Sequence, residues 1–200
     1  MVFNAAISAC EKGKAWPTAL RLLQQMRSMG CQPTAVTYGA SISACEKGLQ
    51  WQKALALLAQ MDEEGIKPNT IVYSAAISAC GASGEWETAL ALFQKMETVR
   101  VPRNTICYNA AIQACAKGRA WQQALGLFDR MSSANVKRDR VTYNAIVRAC
   151  EGAGEYKLAF DLRMEGAKVL DDDDEDDGSW AAQGDARLSS GEDTKARGAY

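Results

Sequence analysis

The 200-residue chain is 48% apolar, enough for one or two folded domains with a sizeable core. It contains no histidine, so it lacks the commonest general base, the commonest metal ligand and the usual partner of a Ser or Cys nucleophile, and the composition speaks against an enzyme. A net charge of −1 conceals a division: ten of the 24 acidic but three of the 23 basic residues fall in Leu170–Tyr200, leaving about +6 on the preceding residues and −7 on this stretch, the pattern of a polyanion-binding body beside a solvated, competing tail.

No apolar run approaches the roughly 18 to 20 residues needed to span a bilayer, so no membrane partner is expected. The opening MVFNAAISACEKG has neither the basic start and apolar segment of a secretion signal nor the Arg- and Ser-rich character of a transit peptide. That points to the cytoplasm or to a piece of a longer chain.

Taken in chain order, the sequence repeats itself. Residues 1–34 make a first unit lacking its opening residue, 35–69, 70–104 and 105–139 are three full units, 140–169 is a degenerate fifth, and 170–200 is an acidic tail. Three series keep a step of 35: Cys10, Cys45, Cys80, Cys115 and Cys150; Trp16, Trp51, Trp86, Trp121 and Tyr156; and Met26, Met61, Met96 and Met131, which fails at Gly166. A fixed period of this length marks a repeat architecture.

The fourth unit shows the pattern. Ile106, Tyr108 and Ala110 to Ala114 make an Ala-rich helical segment, Gly118 breaks it, and Trp121, Ala124, Leu125, Leu127, Phe128 and Met131 recur at helical spacing. A second break holds Gly30 with Pro33 and Gly65 with Pro68 in the earlier copies, and Pro17 suits the first turn of its helix. Each unit is therefore two antiparallel helices, and because one pair cannot bury its apolar side, the units must stack through Trp, Leu, Phe and Met. The expected fold is all-α, an α-solenoid of stacked helix-turn-helix repeats with first helices on one surface and second helices on the other. In the fifth unit DLRMEGAKV replaces the usual phrase, so its second helix is expected to end early or fray, and the acidic tail to be disordered.

Several candidate sites have plain structural readings. The cysteines show no Cys-x-x-Cys pair, and equivalent positions in stacked helices lie about 8 to 10 Å apart, too far for a disulfide; no metal and no cofactor are expected, and the series reads as a small apolar filler. Cys31 and Cys107 fall outside it. The Trp series reads as inter-unit core rather than a stacking platform, and Asp171 to Asp177 lack a calcium-loop pattern. Thr34, Asn69, Asn104 and Asp139, which close the units, are good helix N-caps. Capping leaves unexplained why the position after the aromatic also varies among small or polar residues: Asn4, Gly39, Ser74, Asn109 and Asn144. Stacking brings these two positions together once per unit, as a row of reading heads. Lys12, Lys47 and Lys117 recur near the end of the first helix, where they suit either the helix dipole or a phosphate.

The phrase [VI]-x-Y-N-x-x-I, then Gly, Ala-Leu-x-Leu-[LF]-x-x-Met and Gly-x-x-Pro-[ND], nearly complete from Val36 to Asn69, resembles the pentatricopeptide repeat. The likeness covers Met1 to about Phe160; the tetratricopeptide repeat differs in its period of about 34 and lacks the Tyr-Asn opening. The resemblance implies a right-handed superhelix that binds single-stranded RNA at about one base per repeat, with no catalysis of its own, and work in a mitochondrion or plastid on RNA processing, stability or translation, with other RNA-processing proteins as partners and a monomeric state. It implies base reading by Asn4 with Thr34, Gly39 with Asn69, Ser74 with Asn104, Asn109 with Asp139, and Asn144. Val36, Ile71, Ile106 and Val141 would sandwich bases, and Lys12, Lys47 and Lys117 would approach phosphates. Asn109 with Asp139 resembles the uridine pair and Ser74 with Asn104 the adenine pair, giving 5′-A-U-3′ across the third and fourth units. A protein-binding solenoid scaffold and a fragment of a longer repeat protein are the alternatives.

Overall fold

The structure, a computed structural model, describes residues 2–174. Five helix pairs follow one another: α1 (Val2–Lys12) with α2 (Trp16–Ser28), α3 (Ala35–Lys47) with α4 (Trp51–Glu63), α5 (Thr70–Ala82) with α6 (Trp86–Thr98), α7 (Thr105–Lys117) with α8 (Trp121–Ser133), and α9 (Arg140–Ala153) with α10 (Tyr156–Asp174). The odd-numbered helices pack on one another in series, α1 on α3 through to α7 on α9, while α2, α4, α6 and α8 each pack on their own partner and on the next first helix, and α10 packs on α9. The first helices thus form a continuous inner wall and the second helices an outer layer. This is an α-solenoid, in which each unit touches only its neighbours.

Small residues make the wall close-packed. Ala44, Ala79, Ala114 and Ala149, at one register of α3, α5, α7 and α9, are buried, and Phe93 and Phe128 meet Tyr108 and Tyr143 of the following units edge-on at centroid distances of 4.8 and 5.4 Å. The anchors also close the turns. The carbonyls of Cys10, Cys45, Cys80, Cys115 and Cys150 each accept the N–H five residues on, as do those of Met26, Met61, Met96 and Met131. This bond is the signature of a Schellman motif, whose closing residue is left-handed. That residue is Lys14, Leu49, Gly84, Arg119 or Gly154 within the units and Gly30, Gly65, Arg100 or Asn135 between them.

As expected, α7 stops at Gly118, its C-cap, although the left-handed residue that closes the turn is Arg119; a Cβ on Gly118 would stand 2.1 Å from Cδ1 of Trp86, so the glycine also makes room for the preceding unit's indole. One expectation is corrected: the fifth unit's second helix does not end early, since α10 runs through Asp174 and takes in the first five residues of the expected tail. At the place where the Met series fails, a Cβ on Gly166 would be 2.7 Å from Cγ of Tyr143, and the tyrosine ring fills that space. The remainder of the expected tail, 175–200, lies outside the described residues.

Candidate nucleic-acid interface

Each unit's closing residue is an extended N-cap whose side chain accepts the N–H of the third residue of the next first helix. The distances are 3.4 Å for Thr34 to Thr37, 3.0 Å for Asn69 to Val72, 3.1 Å for Asn104 to Cys107 and 2.8 Å for Asp139 to Thr142. The capping oxygen is thereby occupied. What remains free differs by residue type: Asn69 and Asn104 keep an NH2 donor, whereas Asp139 keeps a carboxylate oxygen, Oδ2, that can only accept.

The position after the aromatic meets its unit's cap directly in the fourth unit. In the fourth unit, Nδ2 of Asn109 donates to Oδ1 of Asp139 at 3.0 Å and Oδ1 of Asn109 accepts from the Thr142 hydroxyl at 2.7 Å. Burial pushes the Asp139 carboxyl up, but the Thr142 N–H and the Asn109 amide outweigh it and hold it below its ordinary range. In the third unit, the Ser74 hydroxyl donates to the Ile71 carbonyl at 2.9 Å, so its oxygen is left as an acceptor. In the first, Asn4 accepts from Thr37 at 2.7 Å. Gly39 contributes no side chain, and Asn144 is exposed on α9 with no further first helix beside it among the described residues.

Beside each pair stands an aliphatic side chain with little packing of its own: Val36, Ile71, Ile106 and Val141 are 64, 68, 64 and 47% exposed. A groove of about 390 Å³ joins Val36, Gly39, Asn69, Ile71, Ser74 and Ile106, and a second of about 360 Å³ joins Val141, Asn144 and Lys117. The wall therefore brings expected reading and sandwiching residues of adjacent units into shared clefts. Lys12 and Lys117 are exposed, but the Lys47 ammonium lies 3.1 Å from Glu11 of the preceding unit.

Sequence reasoning missed a row of floor residues: Ser8, Ser43 and Ser78, with Glu11 and Glu46, line the first groove, and Gln113 and Arg148 line the second. Their step of 35 was the available signal. Burial raises the Glu46 carboxyl and Glu11 adds to this, against the lowering influence of Lys47 and Ser78. The first groove thus carries acidic residues and the second basic ones.

The other candidates are structural. Burial pushes the thiols of Cys45, Cys80 and Cys115 up to about 11, so they are neutral and poorly reactive, and the described residues contain no cluster of three or more metal-ligating side chains. Trp16, Trp51, Trp86 and Trp121 are half-buried against the core, but Tyr156, the fifth of that series, is 71% exposed, because no sixth first helix packs over it among the described residues. No helix among them is long and apolar enough to cross a membrane.

Fold and groove define a helical-repeat solenoid whose inner wall carries recurring small or polar residues beside the helix caps. A family model described as the pentatricopeptide repeat domain matches residues 1–47 and 56–118, more than half of the chain; models described as PPR repeat family and PPR repeat match 103–152, and 36–66 with 141–165. The chain belongs to the pentatricopeptide repeat family. Among solved structures, that of the pentatricopeptide repeat protein PPR10 from maize is similar with 24% identity and a TM-score of 0.66 over 84% of this chain and 24% of that one, so the chain spans about a quarter of its length. PPR10 in complex with an 18-nt psaJ RNA element gives 23% identity and a TM-score of 0.69 over 88% and 28% of the two chains. The PPR domain of Arabidopsis thaliana protein-only RNase P 1 in complex with tRNA gives 14% and 0.71 over 84% and 89%. No curated protein sequence matches significantly.

Proposed function

We propose that the chain is a single-stranded RNA-binding adaptor without chemistry of its own, each stacked pair reading about one base by its Watson–Crick edge. The observation that carries this is the opposite polarity of the third and fourth units. Ser74 has a free acceptor and Asn104 a free donor at the positions equivalent to Asn109 and Asp139, which meet at 3.0 Å and offer a donor beside an acceptor. The first arrangement complements a base with an amino group beside a bare ring nitrogen, adenine or cytosine. The second complements a keto group beside a ring N–H, uracil or guanine. Size then divides each class, the short Ser74 leaving room for a purine and the longer Asn109 fitting a pyrimidine, which agrees with the adenine and uridine pairs that the family resemblance implies and, in the strand direction it implies, reads 5′-A-U-3′.

The solved relatives bound to psaJ RNA and to tRNA support RNA as the ligand class. On this reading the aliphatic row supplies faces for bases, Lys12, Lys47 and Lys117 approach phosphates, the protein acts as a monomer, and it works with other RNA-processing proteins in a mitochondrion or plastid. The test is a fluorescence-anisotropy titration of the full chain with short single-stranded RNAs that contain or lack A-U. Binding that weakens with salt and prefers A-U is expected; no binding below about 100 μM, the weak end of nonspecific nucleic-acid affinity, overturns the proposal. A protein-binding scaffold is the second reading, favoured by the exposed Tyr156, Phe160 and Met164 on α10. Partner capture that survives both RNase and substitution of Ser74 and Asn109 would favour it.

A further inference from the structure

Four first helices receive the reading position of the preceding unit near their third residue, and those third residues are Thr37, Val72, Cys107 and Thr142. All four are fully buried, so none can touch a base. The two threonines stand opposite the two long amides, Thr37 with Asn4 and Thr142 with Asn109, at 2.7 Å in each case. Val72 and Cys107 stand opposite the reading positions of the preceding units, Gly39, which has nothing to hold, and Ser74, which is held by its own helix. We propose that Thr142 and Thr37 are positioning residues that hold in place the hydrogen-bonding edge that Asn109 and Asn4 present to a base, an inference that rests on the base-reading role proposed above.

Counting protons makes the case in the fourth unit. A reversed Asn109 amide would place its oxygen 3.0 Å from Oδ1 of Asp139, acceptor against acceptor, so the carboxylate fixes Nδ2 on its own side. The Thr142 hydroxyl has one proton and two acceptors in reach, Asn109 Oδ1 at 2.7 Å and Asp139 Oδ1 at 2.8 Å. Asp139 Oδ1 already takes the Thr142 N–H and the Asn109 amide, and the proton therefore goes to Asn109. With one Nδ2 hydrogen on Asp139 and its oxygen pinned by Thr142, the amide is held at both ends. Its second Nδ2 hydrogen is the donor left for a base.

Capping does not account for this arrangement. In the capping box the threonine oxygen accepts the N–H of Asp139, or of Thr34, at 3.1 Å, which uses a lone pair and leaves the proton unassigned. Asn69 and Asn104 moreover cap their helices with valine and cysteine at the third position. The hydroxyl is dispensable for the cap and accompanies the amides instead.

Thr142→Val is the test, because the isosteric Val72 occupies the same register in α5 and the fold accommodates it. Two measurements on the full chain are needed: hydrogen exchange of the Asn109 side-chain amide by NMR without RNA, and the ratio of Kd values for RNAs with uridine or cytidine at the fourth unit's position. Loss of one hydrogen bond of typical net strength predicts exchange faster by about tenfold and a uridine preference reduced by about tenfold, with Kd for the cytidine RNA within about twofold of its starting value. Thr142→Ser, which keeps the hydroxyl, should restore both. Unchanged amide exchange, or an unchanged ratio in a chain whose unaltered form discriminates, overturns the positioning role. An unaltered chain that binds RNA without preferring uridine instead overturns base reading itself, and the specificity role with it.

Discussion

Ile106→Ala separates a ligand-facing role from a packing role more cleanly than any other change in the inner wall. Ile106 is 64% exposed, whereas Ile112, on the same helix α7, is fully buried. Full burial of an isoleucine side chain is worth about 1.5 to 3 kcal/mol, and roughly two-thirds of that remains available to a ligand at Ile106. Allowing for the methyl that alanine keeps, removal should cost about 1 to 1.5 kcal/mol of binding, or about five- to tenfold in Kd. On the proposed reading Ile106 lies between the bases of the third and fourth units, so the loss should be felt at both positions. Folding stability should stay within about 0.5 kcal/mol, as for other surface changes, while Ile112→Ala should lower it by about 2 to 5 kcal/mol. Anisotropy titration and thermal unfolding of both variants make the assay. A Kd within twofold of the unaltered chain, or a loss of affinity that tracks a matching loss of stability, refutes the idea that the aliphatic row faces bases.

Two further outcomes follow from the groove and the wall. Glu46 lines the groove with its carboxyl raised by burial; a group raised in the folded state favours folding below its unfolded value of 4.5 and loses that contribution as pH rises through the folded value. Glu46→Gln should therefore leave the protein less sensitive to rising pH over that window in thermal melts, and should tighten RNA binding near neutrality by about twofold, since one charge about 8 Å from a phosphate costs about 0.5 kcal/mol in water-like surroundings; weaker binding would show that the carboxylate does not face the ligand. Gly81→Ala would put a Cβ 2.6 Å from Cβ and 3.0 Å from Cα of Ala114, forcing α5 and α7 apart at a cost of about 1 to 3 kcal/mol. Its melting temperature should fall by about 2 to 4 °C per kcal/mol, and an unchanged value would mean that this helix contact is looser than its distances.

How much of this was legible in the sequence depends on whether a residue acts within its unit or across a seam. The period of 35, the helix pairing and the caps at Asn69, Asn104 and Asp139 are local, and local chemistry repeats visibly because each unit solves the same problem with the same residues. Gly118 was legible as a small residue but not for its reason, since the Trp86 ring that requires it comes from 32 positions earlier. The Glu11–Lys47 pair is hidden in the same way: the lysine series reads as three equivalent cations until the seam between α1 and α3 sets a carboxylate 3.1 Å from one of them.

The most instructive case is Thr142. Within its own helix it is an ordinary third residue of a capping box, and a search for variable polar positions passes over it, because it is buried and its counterparts Val72 and Cys107 are apolar. Its partner Asn109 is 33 residues away, on the far side of a unit boundary. A repeat alignment compares equivalent positions and so separates the two residues that touch. Specificity in such an array is therefore incompletely described by the residues that meet the ligand. Part of it resides in the buried neighbour that holds the amide in place, and that neighbour belongs, by sequence, to the next repeat.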